Sequence, residues 1–115
     1  VLNVPSVESL LYSYFRETEW WRRMGNSPKE AEAMVDASYI TQPRQVAQGV
    51  FIRGTHPTKH YLREELMVLA RDEMGLEVLD VLKMEYDWKT EMEDDVPDWM
   101  GEPYPWDWIM VAKKP

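Results

Sequence analysis

The chain has 115 residues, 44% of them apolar and six of them tryptophan, with a net charge of −8 and no cysteine. That length suits one domain with an ordinary core, and the composition lies far from that of disordered chains. Without cysteine there is no disulfide, thiolate metal site or thiol nucleophile.

The charge is unevenly placed. Residues 1–57 carry six Lys or Arg against six Asp or Glu, whereas residues 58–115 carry seven against fifteen. All the excess acid therefore lies in the second half, a composition that repels nucleic acid and anionic lipid. The opening VLNVPSVESLL lacks the basic start and unbroken apolar run of a secretory signal, and no stretch approaches the roughly 18 apolar residues of a membrane span. The expected setting is soluble and cytoplasmic, or another reducing compartment, with no direct nucleic-acid or membrane contact.

In chain order, Ser6 is expected to cap a helix over 7–24, in which Val7, Leu10, Leu11, Tyr14, Phe15 and Trp21 recur at helical spacing. Gly25-Asn26 stops it. Ser27-Pro28-Lys29-Glu30 then supplies an N-cap, a proline at the first helical position and an acid at the third, predicting a second helix over 28–39. Residues 40–48 read as a connection. Val50-Phe51-Ile52, bracketed by glycines, predicts a short strand near 50–53. Helical spacing of Leu62, Leu66, Leu69 and Ala70 predicts a helix over 58–74, ended by Gly75. LEVLDVLKMEY alternates, with Val78, Leu82 and Met84 on one face, and predicts a strand over 77–86. Residues 91–105 form an acidic, proline-punctuated loop, and Trp106 to Ala112 a closing strand. The expected class is α/β, with α+β the alternative: a single domain over 1–115 in which an N-terminal helical hairpin (1–40) packs with a small strand-helix-strand-strand sheet (49–115). Its crossover would be parallel.

His56, His60 and Glu64 are spaced four apart, which on one continuous helix would align them as metal ligands. Pro57 forces the residue before it into extended backbone, so His56 should stand outside the helix and no metal site is expected. Lys59 beside a helix N-terminus could favour an anion, yet the glycines of a phosphate loop are missing. The acids Glu64-Glu65, Asp72-Glu73 and Glu93-Asp94-Asp95 read as solvated faces rather than as an acid–base pair in unlike environments. Ser6, Ser9, Ser13, Ser27 and Ser38 lie in or at helices without the glycines of a nucleophile elbow. No catalytic, cofactor-binding or metal-binding residue is expected, and no cofactor.

Trp88, Trp99, Trp106 and Trp108 gather late, among prolines and acids. Aromatics in such company close cores or anchor partners. The candidate partner-binding residues are Trp88, Glu93, Asp94, Asp95, Trp99 and Trp106. The partner is expected to be a protein with a basic or aromatic-accepting surface, or a second copy of the chain.

The succession GVFIRGTHPTKHYLREELMVLARDEMGLEVLDVLKMEYDW, followed by WDWIMVAKKP, resembles the C-terminal portion of class I S-adenosylmethionine-dependent methyltransferases. It covers residues 49–115. The glycine-rich cofactor loop, the ribose-binding acid and the catalytic dipeptides of that family belong to its other half and are missing here. The resemblance therefore implies a fragment or a degenerate relative, and no functional residue carries over. The leading expectation is a small acidic protein, not an enzyme, acting as a binding, assembly or regulatory module.

Overall fold

The computed structural model describes residues 1–37, 48–53 and 56–115, with backbone alone for Arg53. Helices and antiparallel strands alternate along the chain in a mixed α/β fold with two small sheets. The elements group into two compact units, Val1–Ser9 with Tyr61–Pro115, and Leu10–His60.

The first unit is built on strands β1 (Leu2–Pro5), β4 (Glu77–Glu85) and β5 (Trp106–Lys113), in the order β1-β5-β4, with both pairings antiparallel. Leu2 lies opposite Met110 on one side of β5, and Val81 opposite the same Met110 on the other. Helix α3 (Arg63–Val68) and the π turn that extends it (Leu69–Glu73) supply Leu66 and Ala70 to a core shared with Val81, Trp108 and Met110. Burying side chains of this size contributes about 1.5–3 kcal/mol each for the larger ones. Gly75 ends the turn at φ +65°, and the Leu76 amide reaches back to the Ala70 carbonyl at 2.9 Å. This is the glycine stop that the sequence announces.

Residues 77–85 are a strand, as the alternation predicts, but the facing differs. The register steps between Val78 and Asp80, leaving Leu79 as a bulge. One extra residue reverses the alternation, so Val78 and Val81 share the core face while Leu82 is half exposed. Glu77, Asp80, Lys83 and Glu85 are exposed along this edge strand, where charge and the bulge discourage unwanted strand pairing. Strand β1 was not foreseen. The Tyr61 amide donates to the Pro5 carbonyl (2.8 Å) and the Val7 amide to the Tyr61 carbonyl (3.1 Å), holding residues 60–62 extended. For that reason α3 starts at Arg63 and not at Thr58.

Helix α1 (Val7–Arg23) begins in this unit. Ser6 caps it as expected, its Oγ accepting the Ser9 amide at 3.0 Å. The Trp108 indole N–H is shared between the Tyr61 carbonyl (3.1 Å) and Glu8 Oε2 (3.3 Å), and the Trp106 amide donates to Ser9 Oγ at 2.8 Å.

The second unit holds the rest of α1, helix α2 (Pro28–Asp36), and strands β2 (Val50–Arg53) and β3 (His56–Lys59). The capping box forms as read: Ser27 Oγ accepts the Glu30 amide (3.2 Å) and Glu30 Oε1 the Ser27 amide (3.3 Å). Residues 38–39 of the predicted helix and the connection over 40–47 lie outside the described residues. The apolar spacing along α1 misleads. Leu10 is buried as its spacing predicts, but so are the small Ser9 and Ser13, while Leu11 and Phe15 stay more than half exposed.

Strand β2 does not enter a parallel crossover with residues 77–85; it pairs antiparallel with β3. The His60 amide donates to the Gly49 carbonyl at 2.8 Å. Alternation then makes Ile52 opposite Pro57 a non-hydrogen-bonded position, where the missing proline N–H costs nothing. Helical expectation for 58–60 fails because this pairing outweighs the helix-start signal of Pro57.

Within the second unit the Tyr14 hydroxyl donates to Asp36 Oδ1 at 2.6 Å, joining α1 to α2. That bond, with partial burial and the carboxylate charge, pushes Tyr14 up to about 12 from an ordinary 10.0. The folded state thus holds the phenol proton longer than the unfolded chain does. Its contribution is complete below pH 10 and is lost as pH rises to about 12. Urea midpoints between pH 9 and 12 should fall for the wild type, and part of that fall should vanish in Tyr14→Phe. An identical alkaline slope in both proteins would refute the assignment.

Candidate functional site

The segment from the end of β4 to the start of β5 lies wholly in the first unit. The Tyr86 amide donates to the Pro105 carbonyl at 3.1 Å, so the two ends of the segment are stitched together. Asp87 then caps helix α4 (Trp88–Met92), its Oδ1 accepting both the amide and the hydroxyl of Thr90 at 2.7 Å. Those bonds, together with the charge of Lys89, hold the Asp87 carboxyl below its usual range. The loop expected over 91–105 therefore begins with the end of a single helical turn.

Trp88 sits differently from its expected place on a partner surface. It is 1% exposed, and its indole N–H donates to the Gly101 carbonyl at 2.9 Å, closing a 13-residue excursion. Met100 and Pro105 are buried with it. A buried indole with a satisfied N–H organises the segment and has no surface left to offer. Beyond α4, Glu93 adopts the left-handed conformation (φ 54°, ψ 33°), which costs a non-glycine residue about 1 kcal/mol. This turns the chain so that Glu93, Asp94 and Asp95 are all exposed. Asp95 meets Lys89 at 3.2 Å, but both side chains are at least 70% exposed and such a pair contributes little.

Trp99 and Trp106 are partly buried. Trp106 stands edge-on to Trp108, with centroids 6.0 Å apart, and carries Lys83 Nζ 4.0 Å above its ring. Burial and the nearby Glu91 carboxylate push the Asp107 carboxyl up from its ordinary value. Of the six residues read as partner-binding, Glu93, Asp94 and Asp95 share one exposed turn, Trp99 follows on the same excursion, Trp106 is set into the sheet, and Trp88 is interior. Sequence reading missed Glu85, Tyr86, Asp87 and Tyr104, which line an open depression of about 280 Å³. The adjacency of tyrosine and acid in Glu85-Tyr86-Asp87 was the available signal, but Tyr104 is brought beside them by the pairing of β4 with β5 and by the Tyr86–Pro105 bond.

His56 lies in β3, whereas His60 follows that strand with Nδ1 3.0 Å from the Thr58 carbonyl and its ring edge-on to Phe51. Lys59 Nζ donates to the Gln48 carbonyl. Among the described residues there is no group of three His, Asp or Glu able to hold a metal ion, and no helix long and apolar enough to cross a membrane.

Comparison with protein-family models, with curated proteins and with solved structures finds no match.

Proposed function

We propose that this chain is a small acidic binding module that acts through protein–protein contacts and performs no chemistry of its own, its docking surface being the excursion between β4 and β5. The observation that carries the reading is the exposed turn Glu93-Asp94-Asp95, followed by the partly buried Trp99, on a segment braced from within by Trp88. Exposed acids steer encounter with a basic surface, and a half-buried aromatic supplies the contact energy once the surfaces meet. A second copy of a chain with net charge −8 would be repelled, so a basic partner is favoured.

The test compares protein captured from a lysate by the wild type with that captured by a Glu93→Gln, Asp94→Asn, Asp95→Asn variant and by Trp99→Ala. The acid variant should slow association, as added salt should, while Trp99→Ala should raise the off-rate about 30-fold for an anchor worth about 2 kcal/mol. A captured partner indifferent to salt and to both variants would remove the reading. So would heat on titration with S-adenosylmethionine, which would favour the methyltransferase resemblance, and a dimeric mass in solution would make the partner a second copy.

A further inference from the structure

We infer that the open depression lined by Glu85, Tyr86, Asp87 and Tyr104 receives an arginine side chain of the protein partner. This rests on reading the chain as a binder of a basic partner and names the group that the partner presents.

The depression has fixed walls. Glu85 ends β4, Tyr86 and Asp87 follow it, and Tyr104 precedes Pro105, whose carbonyl accepts the Tyr86 amide at 3.1 Å. Pro105 is fully buried, so the wall carrying Tyr104 is anchored on one side. The Tyr86 hydroxyl donates to Glu91 Oε2 at 2.7 Å, which orients that phenol. One oxygen of Asp87 is held by Thr90, so the carboxylate is also set before any ligand arrives. Pre-set groups spend little conformational entropy on binding.

Size and chemistry narrow the occupant. At about 280 Å³ and widely open to solvent, the depression does not enclose a small molecule, but it has room for one long side chain. Among the described residues its lining is two acidic residues and two tyrosines, with no basic one. Of the lysines near this lining along the chain, Lys89 meets Asp95 while its charge also reaches Asp87, and Lys83 stands over the Trp106 ring. Carboxylates beside aromatic rings suit a cation with a flat face. A guanidinium stacks on tyrosine, forks onto carboxylates and is weakly hydrated, whereas a lysine ammonium is compact and gives up its water reluctantly. The excess acid of residues 58–115 adds long-range attraction toward a basic segment.

The test uses the full chain and three probe peptides, acetyl-Gly-Arg-Gly-amide and its lysine and citrulline counterparts, followed by amide chemical shifts. Citrulline keeps the shape of arginine and removes its charge. The arginine peptide should shift the amides of residues 85–87 and 104 saturably, with the citrulline peptide about tenfold weaker and the lysine peptide between them. Glu85→Gln, an exposed change that leaves the core untouched, and Tyr104→Ala should each weaken the arginine peptide about threefold or more. The Glu93→Gln, Asp94→Asn, Asp95→Asn variant should leave it unchanged. Shifts spread evenly over all acidic residues, equal shifts from the citrulline peptide, or indifference to Glu85→Gln would overturn the inference. A lysate partner lost with Trp99→Ala but retained with Tyr104→Ala overturns the inference alone. Saturable arginine binding without any captured partner supports the depression as an arginine site and removes the partner reading instead.

Discussion

Replacing Trp88 with alanine should destabilise the protein by about 3–5 kcal/mol, the usual cost of emptying a buried tryptophan site. The ring is 1% exposed and lies at the start of a one-turn helix that has little stability of its own. Removing it also leaves the Gly101 carbonyl without the indole N–H that reaches it at 2.9 Å. Trp88→Phe separates the two effects. Phenylalanine keeps much of the apolar volume and loses the bond, so its cost should be nearer 1–3 kcal/mol. Urea unfolding of the three proteins measures both steps, and a loss below about 1 kcal/mol for Trp88→Ala would show that the indole is not structural. Because the acidic turn and Trp99 lie on the excursion closed by Trp88, the proposed partner association should weaken in Trp88→Phe even where the protein remains folded.

Gly49→Ala should cost about 2–4 kcal/mol, from left-handed strain plus a collision. Gly49 has φ +73°, and a Cβ there would lie 2.6 Å from the His60 carbonyl oxygen and 2.9 Å from Lys59 Nζ. The lysine can swing away; the carbonyl is held, because it shares its peptide plane with the Tyr61 amide, which is bonded to the Pro5 carbonyl. Gly75 is the control. Its φ of +65° is similar, but a Cβ there meets nothing within 4 Å, so Gly75→Ala should cost only the conformational strain of about 1 kcal/mol. Equal losses for the two variants would rule out the steric account.

What could be read from sequence follows the range of the interactions involved. Ser6, the Ser27-Pro28-Glu30 capping box and Gly75 act on amides or carbonyls a few residues away, and each does what its residue type predicts. The strand over 77–85 was equally legible because its alternation is local. The pairing of β1 with β5 joins residues more than a hundred positions apart, and the β2–β3 pairing overrides a good helix start. Leu79 looks like any other strand leucine until the register across β5 makes it the extra one. The candidate site divides in the same way. Three consecutive acids at 93–95 announce an exposed turn, whereas Trp88 and Trp99 are the same residue type in similar surroundings. Trp88 is interior, its N–H bonded to the Gly101 carbonyl thirteen residues on, while Trp99 stays partly exposed.

The placement of β5 in the middle of its sheet also sets a schedule for biosynthesis. Both neighbours, β1 and β4, are synthesised before the strand that hydrogen-bonds them, whereas β2 and β3 pair with each other and are both made by Lys59. At about 5–20 residues per second, the nascent β4 waits about one to four seconds after Glu85 is joined before Trp106 follows. For that interval Val81, Leu79 and Leu82 have no strand beside them, and the exposed charges along β4 disfavour its pairing with another chain.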